Sequence, residues 1–345
     1  MTVRPSVFWL RAAAVLALGS ALPFLGASRG SAPGADDVTP PASTAAPERT
    51  ARPGESPGHH GHARGSATKN PLIVAHRAGT ADYPENTLEG IRGSLQDGAD
   101  ALWLTVQLSR DGIPVLYRPV DLAANTNGAG MVAEKTAAEL TQLNAGWNFS
   151  PRGSADTPYR STPALLPTLA QALSEVPADV PLFLDLKQAD PVALADAVVT
   201  LLRRSGRVDH TVITSTDAAA TGRAREAGDV QVAEDRDVTR ARLLDIALAH
   251  RCDTPPAAGT WMAFEDRRTV TVSETFTLGT ATTEVEVTPW DAEAVSCLDP
   301  KDRVNLMAIG VADAARYREL ARLGVDALLV DSPREAATWA TRSAH

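Results

Sequence analysis

The chain has 345 residues, 44% hydrophobic and 22% charged, with a formal net charge of −9 and a sequence pI near 5.3. That length supports one large core or two modest ones. No apolar run reaches the roughly 20 residues needed to span a bilayer, which excludes a polytopic membrane protein, and the acidic balance argues against a nucleic-acid partner, which wants a basic face.

In chain order, Arg4 and Arg11 precede an apolar stretch, Ala12 to Leu25, followed by the small residues Gly26, Ala27 and Ser28. A basic start, a short apolar core and a small-residue exit predict a signal peptide over 1–28 and a secreted or extracytoplasmic protein. As a helix the apolar core would be about 21 Å long, short of a bilayer core of about 30 Å. Residues 29–70 are rich in Ala, Pro, Gly, Ser and Thr without an apolar period, and so predict a disordered linker. His59, His60 and His62 lie in it and read as solvated rather than metal-binding. Residues 1–70 carry seven Lys and Arg against four Asp and Glu, which leaves the body with 26 against 38 and disfavours an anionic membrane surface as its partner.

The body, 71–345, has the size of a single (β/α)8 barrel, typically about 250 residues. Eight short apolar segments alternate with amphipathic ones: Leu72–Ala75, Ala101–Leu108, Pro181–Lys187, Thr211–Ser215, Val230–Ala233, Trp261–Phe264, Val304–Ile309 and Ala327–Val330. This alternation predicts a parallel sheet, and eight strands favour closure. Asn86–Gln96 reads as the first helix, with Leu88, Ile91 and Leu95 on one face and Asn86 as its N-cap, Glu89 standing three residues on. One segment breaks the rhythm. Residues 269–288 are rich in β-branched side chains, alternate with period two and carry Gly279 near the middle, which predicts an inserted β-hairpin. Cys252 and Cys297, the only cysteines, bracket it and are expected to form a disulfide in an exported protein, with two buried thiols as the alternative.

Strand alternation locates the chemistry. In Ala101–Leu108 the leucines and Val106 share the outer face, so Trp103, Thr105 and Gln107 point into the barrel. In Pro181–Lys187 the leucines face out and Phe183, Asp185 and Lys187 face in. An acid and a base two residues apart at a strand end form either a structural ion pair or part of a site. His76 and Arg77 end the first strand, and the following loop carries Glu85 and Asn86. Barrel sites collect at the carboxyl ends of strands, so these groups are expected to converge on one mouth. There Arg77 and Lys187 suit a phosphate and His76 a proton transfer near neutral pH.

The motifs along the body resemble those of the glycerophosphodiester phosphodiesterase family. His76-Arg77, Pro84-Glu85-Asn86-Thr87, Gly98-Ala99-Asp100 and Asp111-Gly112 match in order and spacing. Asn127-Gly128-Ala129-Gly130, Glu139-Leu140, Leu184-Asp185-Leu186-Lys187, Gly324-Val325-Asp326 and Val330-Asp331-Ser332-Pro333 resemble later family stretches. The resemblance implies a TIM barrel that acts on, or binds, a small phosphodiester or phosphate ligand. It gives His76 and Glu85 as catalytic residues and Arg77, Asn86 and Lys187 as substrate-binding ones, with Asp185 holding a divalent cation, Ca2+ or Mg2+. Arg118 is a further substrate-binding candidate, as a side chain that would bring positive charge into the pocket in place of the cation. The departures fall on that chemistry. The family's Glu-x-Asp pair of cation ligands is Trp103 and Thr105 here, the later Glu is Asp185, and the second family histidine is Tyr117. Neither an indole nor one hydroxyl replaces two carboxylates around a hard cation, and a tyrosine is a poor proton shuttle at neutral pH. Two readings follow: a phosphodiesterase with impaired or altered metal-dependent hydrolysis, and a catalytically inactive barrel that binds a phosphate ligand.

Overall fold

The computed structural model describes residues 70–341 apart from Gln188 and Thr254, so the expected signal peptide, linker and linker histidines lie outside the described residues. The element order is β1 (Leu72–His76), α1 (Leu88–Gln96), β2 (Ala101–Leu108), β3 (Pro114–Leu116), α2 (Ala137–Leu140), α3 (Leu169–Glu175), β4 (Leu182–Leu186) and α4 (Pro191–Ser205). It continues with β5 (Thr211–Ser215), α5 (Ala218–Glu226), β6 (Gln231–Val232), α6 (Arg236–Ala249), β7 (Trp261–Glu265), β8 (Arg268–Phe276) and β9 (Gly279–Val287). The last elements are α7 (Ala292–Leu298), β10 (Asn305–Ile309), α8 (Ala314–Leu323), β11 (Ala327–Val330) and α9 (Pro333–Thr341).

All eight strands expected from the sequence are present and parallel, in the order β6-β5-β4-β2-β1-β11-β10-β7, and β3 pairs antiparallel with the end of β2. Each is followed by a helix, which makes this a nearly closed (β/α)8 barrel. The seam lies between β6 and β7, where a ladder is replaced by one backbone bond, Glu234 N–H to Trp261 O at 2.9 Å. The alternation expected along the strands holds. Leu102, Leu104 and Val106 of β2 and Leu182, Leu184 and Leu186 of β4 pack outward with α1, α3 and α4. Trp103, Phe183, Val74, Val212, Met307 and Leu329 fill the lumen. No helix among the described residues is long and apolar enough to cross a membrane.

Two sequence motifs turn out to be turn devices. In Gly98-Ala99-Asp100 and Gly324-Val325-Asp326 the glycine takes a left-handed conformation after a helix, and the aspartate accepts a strand N–H, from Ile73 and Leu306 respectively, each at 2.8 Å. One expectation is corrected. Asn86 does not cap α1; Thr87 does, accepting from Gly90 N at 3.1 Å, because Asn86 is in the left-handed region (φ 58°) and its amide turns to β2 instead.

The inserted hairpin is present as β8 and β9, and residues 272–283 of it form a separate unit, a ribbon whose side chains are exposed apart from the partly buried Val272. The two ends of the insert are fastened in the barrel unit. Arg316 donates to Asp266 Oδ1 and to Trp290 O, both at 2.8 Å, and Trp290 Nε1 donates to Phe264 O at 3.0 Å. Cys252 and Cys297 are disulfide-bonded across 45 residues. By loop-closure entropy this cross-link stabilises the fold by about 4 kcal/mol. Reduction, or the Cys252→Ser/Cys297→Ser pair, is therefore expected to lower the denaturant midpoint correspondingly, as read by urea titration with and without reductant.

Candidate functional site

The site is assembled where β1, β2, β4 and β11 end together. β1 pairs with β11 and β2, and β2 with β4, in a register that sets His76 beside Trp103, Trp103 beside Phe183, and Thr105 beside Asp185. The lumen is closed below by aromatic rings. Trp103 is stacked on Phe183 (centroids 6.1 Å, interplanar angle 16°), and Phe183 meets Trp261 edge-on at 4.9 Å. Thr105 and Asp185 stand one layer nearer the mouth.

His76 Nδ1 lies 2.7 Å from Asp331 Oδ1, and the same oxygen accepts from Thr80 Oγ1 at 2.8 Å. The hydrogen bond to His76 is the main reason the Asp331 carboxyl is lowered to about 2. Ionised at neutral pH, this carboxylate can only accept, so Nδ1 carries the proton and Nε2 of the neutral ring is the basic nitrogen. Arg77 NH1 pairs with Glu85 Oε2 at 2.5 Å, and Lys187 Nζ pairs with Asp185 Oδ1. Burial pushes the Asp185 carboxyl up, against the pull of Lys187, Arg77 and His76. Lys187, Arg77 and His76 thus lie near enough to Asp185 to act on one carboxylate.

The loop from β1 to α1 is strained where it carries this chemistry. Arg77, Ala78 and Asn86 all have positive φ (47°, 64° and 58°), each costing on the order of 1–2 kcal/mol for a non-glycine residue. What holds it is packing. Asn86 N donates to Arg77 O at 2.7 Å, Ala81 N to Asp331 O at 2.9 Å, and a Cβ at Gly90 would come within 2.8 Å of Ala78 O. Asn86 Oδ1 accepts from Thr105 N at 2.9 Å, which docks the loop on β2. Three polar atoms here are buried without a partner: Glu85 Oε1, Asn86 Nδ2 and Thr105 Oγ1. Such atoms are rare and mark places where a ligand or water completes the bonding.

The remaining expected residues behave differently. Tyr117 is buried, its hydroxyl donating to the carbonyls of Asp121 and Leu122 at 3.0 and 3.1 Å, and burial raises its ionisation above the ordinary tyrosine value. A phenol so held is not available to exchange protons. Arg118 is exposed and makes no hydrogen bond or ion pair among the described residues. Asp331 was not singled out for chemistry from the sequence. The usable signal was its place directly after a strand that pairs with β1.

These geometries belong to a recognisable lineage. A sequence profile of the glycerophosphoryl diester phosphodiesterase family matches residues 76–335. The chain belongs to this family. An uncharacterized protein of Mycobacterium tuberculosis is 48% identical over 272 residues, covering 79% of this chain and 90% of that one. The crystal structure of its glycerophosphoryl diester phosphodiesterase domain superposes with a TM-score of 0.75 at 46% identity, over 79% of this chain and 100% of the domain. Human glycerophosphodiester phosphodiesterase 1 is 33% identical over 114 residues, a third of each chain. A phosphodiesterase from Oleispira antarctica, solved with the product sn-glycerol-3-phosphate, shares the fold (TM-score 0.57, 20% identity, 79% of this chain and 97% of that one).

Family membership implies a divalent cation, and the residues present can be tested for it. The three positions that resemblance assigns to cation ligands hold an indole 7% exposed and stacked on Phe183, a hydroxyl, and a carboxylate already paired with Lys187. Among the described residues no group of three or more His, Cys, Asp or Glu is placed to hold a metal ion. A hard cation wants several oxygen ligands, and two further carboxylates of the mouth are already paired, Glu85 with Arg77 and Asp331 with His76. This donor set does not fit a divalent cation.

Two consequences are measurable. Lys187→Met leaves a buried carboxylate unpaired and is expected to cost about 2 kcal/mol in chemical denaturation, between exposed and fully buried pairs, with Asp185→Asn in the same chain recovering most of it. Because Asp331 titrates lower folded (about 2) than unfolded (about 3.9), the contribution of the His76–Asp331 pair is complete above pH about 4 and is lost as the pH falls towards 2. The difference in Tm between the wild type and Asp331→Asn should shrink across that window.

Proposed function

We propose that the mouth of this barrel binds the glycerol phosphate part of a glycerophosphodiester without a divalent cation in the family position, and that metal-dependent hydrolysis is correspondingly impaired. The observation that carries this reading is the replacement of the ion seat by Trp103, Thr105 and the Asp185–Lys187 pair. Hydrogen-bond donors for a phosphate are supplied by side chains: Arg77 with its fork and Lys187 with its ammonium. The unpartnered Glu85 Oε1, Asn86 Nδ2 and Thr105 Oγ1 suit the hydroxyls of a glycerol. The ligand seen in the Oleispira antarctica phosphodiesterase, sn-glycerol-3-phosphate, has this chemistry and is the natural probe.

A second reading, retained turnover by altered chemistry, is favoured by one feature. His76 keeps a carboxylate on Nδ1 and so presents Nε2 as a base, the orientation a general base needs. It lacks a partner acid, since Tyr117 is locked onto two carbonyls. The expression context expected from the sequence, an exported protein, is part of this proposal.

The test is thermal stabilisation and calorimetric titration with sn-glycerol 3-phosphate, in parallel with turnover of glycerophosphocholine in Ca2+ or Mg2+. Binding is expected to be the same with and without EDTA, to weaken about tenfold or more in Arg77→Ala, and to be accompanied by no EDTA-sensitive release of glycerol phosphate. EDTA-sensitive turnover would sink the proposal. EDTA-insensitive turnover that vanishes in His76→Ala would favour the second reading.

A further inference from the structure

A cluster at the same end of the barrel takes no part in the site described above. In β7, Trp261 and Ala263 pack into the lumen while Met262 and Phe264 pack outward against the helices. The alternation therefore turns Glu265, the last residue of the strand, to the lumen side at the mouth. The strand order places β7 three strands from β1, across the opening from His76. The lumen is narrow between these sides, since Phe183 of β4 and Trp261 of β7 touch through their rings.

Glu265 is gripped asymmetrically. Arg236 NH2, from the first residue of α6, and Arg268 NH1, from the first residue of β8, both donate to its Oε1, at 2.5 and 2.8 Å. Its Oε2 is buried and has no partner. Both guanidinium groups lie over the buried Phe264 ring, 5.4 and 5.9 Å from its centroid, which fixes their planes. One nitrogen of each is engaged in these bonds, and the two side chains remain 27% and 33% exposed. An ordinary surface ion pair would share its charge over both carboxylate oxygens and bury neither alone. Here two arginines compete for one oxygen, several N–H donors are left over, the other oxygen is sealed without a bond, and the cluster carries a net positive charge. The clamp of Asp266 and Trp290 by Arg316 holds the end of β7 in place.

We propose that Arg236, Glu265 and Arg268 form a second subsite that takes the alcohol half of the ligand and selects an alcohol rich in hydroxyl or anionic oxygens over a quaternary ammonium. The argument is chemical. Spare guanidinium donors meet hydroxyl or anionic oxygens, and the carboxylate holds both guanidinium groups in place. A trimethylammonium group has no acceptor atom to offer those N–H donors. This inference rests on the reading of the mouth as a glycerophosphodiester site and names which diesters that site takes.

The test is calorimetric titration of the full chain with sn-glycerol 3-phosphate, glycerophosphoinositol and glycerophosphocholine. The inositol ester is expected to bind about tenfold more tightly than the choline ester. Arg268→Ala and Arg236→Ala should each abolish that preference, while sn-glycerol 3-phosphate, which lacks an alcohol half, is bound as before. Should either variant melt at a much lower temperature, Arg268→Lys decides, since it keeps the charge and the ion pair and loses only the fork; it too should lose the preference. Equal binding of the two esters by the wild type, or a preference that survives all three variants, overturns the subsite while leaving the glycerol phosphate reading intact. Failure of the wild type to bind sn-glycerol 3-phosphate or either ester overturns both.

Discussion

The mouth of this barrel depends on the pairing of β2 with β4. That register puts Thr105 beside Asp185 and Trp103 beside Phe183, so the strand positions that resemblance assigns to three carboxylates become one hydroxyl, one aromatic stack and one carboxylate. A buried carboxylate cannot stand alone in such a place, because the cost of removing its charge from water far exceeds any packing gain. Lys187, two residues on and on the same face, neutralises it. The arrangement of the neighbouring groups follows: Arg77 is left to Glu85, and His76 to Asp331.

Electrostatics favour uncharged side chains at Trp103 and Thr105 beside the buried Asp185. Two carboxylates about 4 Å apart repel by about 4 kcal/mol at an effective dielectric of 20, a cost that a bound cation offsets and that nothing offsets without one. A seat that keeps its acidic ligands but loses its ion would be under strain from like charge. Replacing two of the three acids by an indole and a hydroxyl removes that repulsion, and the indole also fills the lumen against Phe183 and so avoids a cavity. The pairs that remain, Asp185 with Lys187 and Glu85 with Arg77, are each internally neutral. The charges of the mouth are in this sense balanced pair by pair.

Much of this was legible in the sequence, for a physical reason. Period-two alternation with one face always aliphatic fixes which side chains enter the lumen, and Trp103 and Phe183 do so. The hairpin announced itself by β-branched residues where a helix was due. What escaped was set by contacts distant in sequence. Asn86 has the composition of an N-cap, yet the loop's left-handed backbone points its amide at Thr105 N, and Thr87 caps the helix. Asp331 lies 255 residues from His76 and meets it because β1 and β11 are neighbours, a fact of closure rather than of local pattern. Glu265 and its two arginines come from three elements around the seam, where β6 is only two residues long and periodicity has nothing to act on.

The strained loop after β1 ties these observations together. Left-handed backbone at Arg77, Ala78 and Asn86 is unfavourable in an isolated peptide and persists only where surroundings over-determine it. Here the surroundings are the end of β11, the close approach of α1 at Gly90, and the amide of Asn86 on β2. Each of those contacts also orients a group at the mouth: Asp331 on His76, Glu85 on Arg77, and Thr105 beside Asp185. Ala78 holds this conformation with its methyl fully buried, where a glycine would carry little strain. The loop is therefore held by the protein's own packing. The groups at the mouth are thus preorganised by the chain itself, so that a ligand meeting them would not have to order the loop.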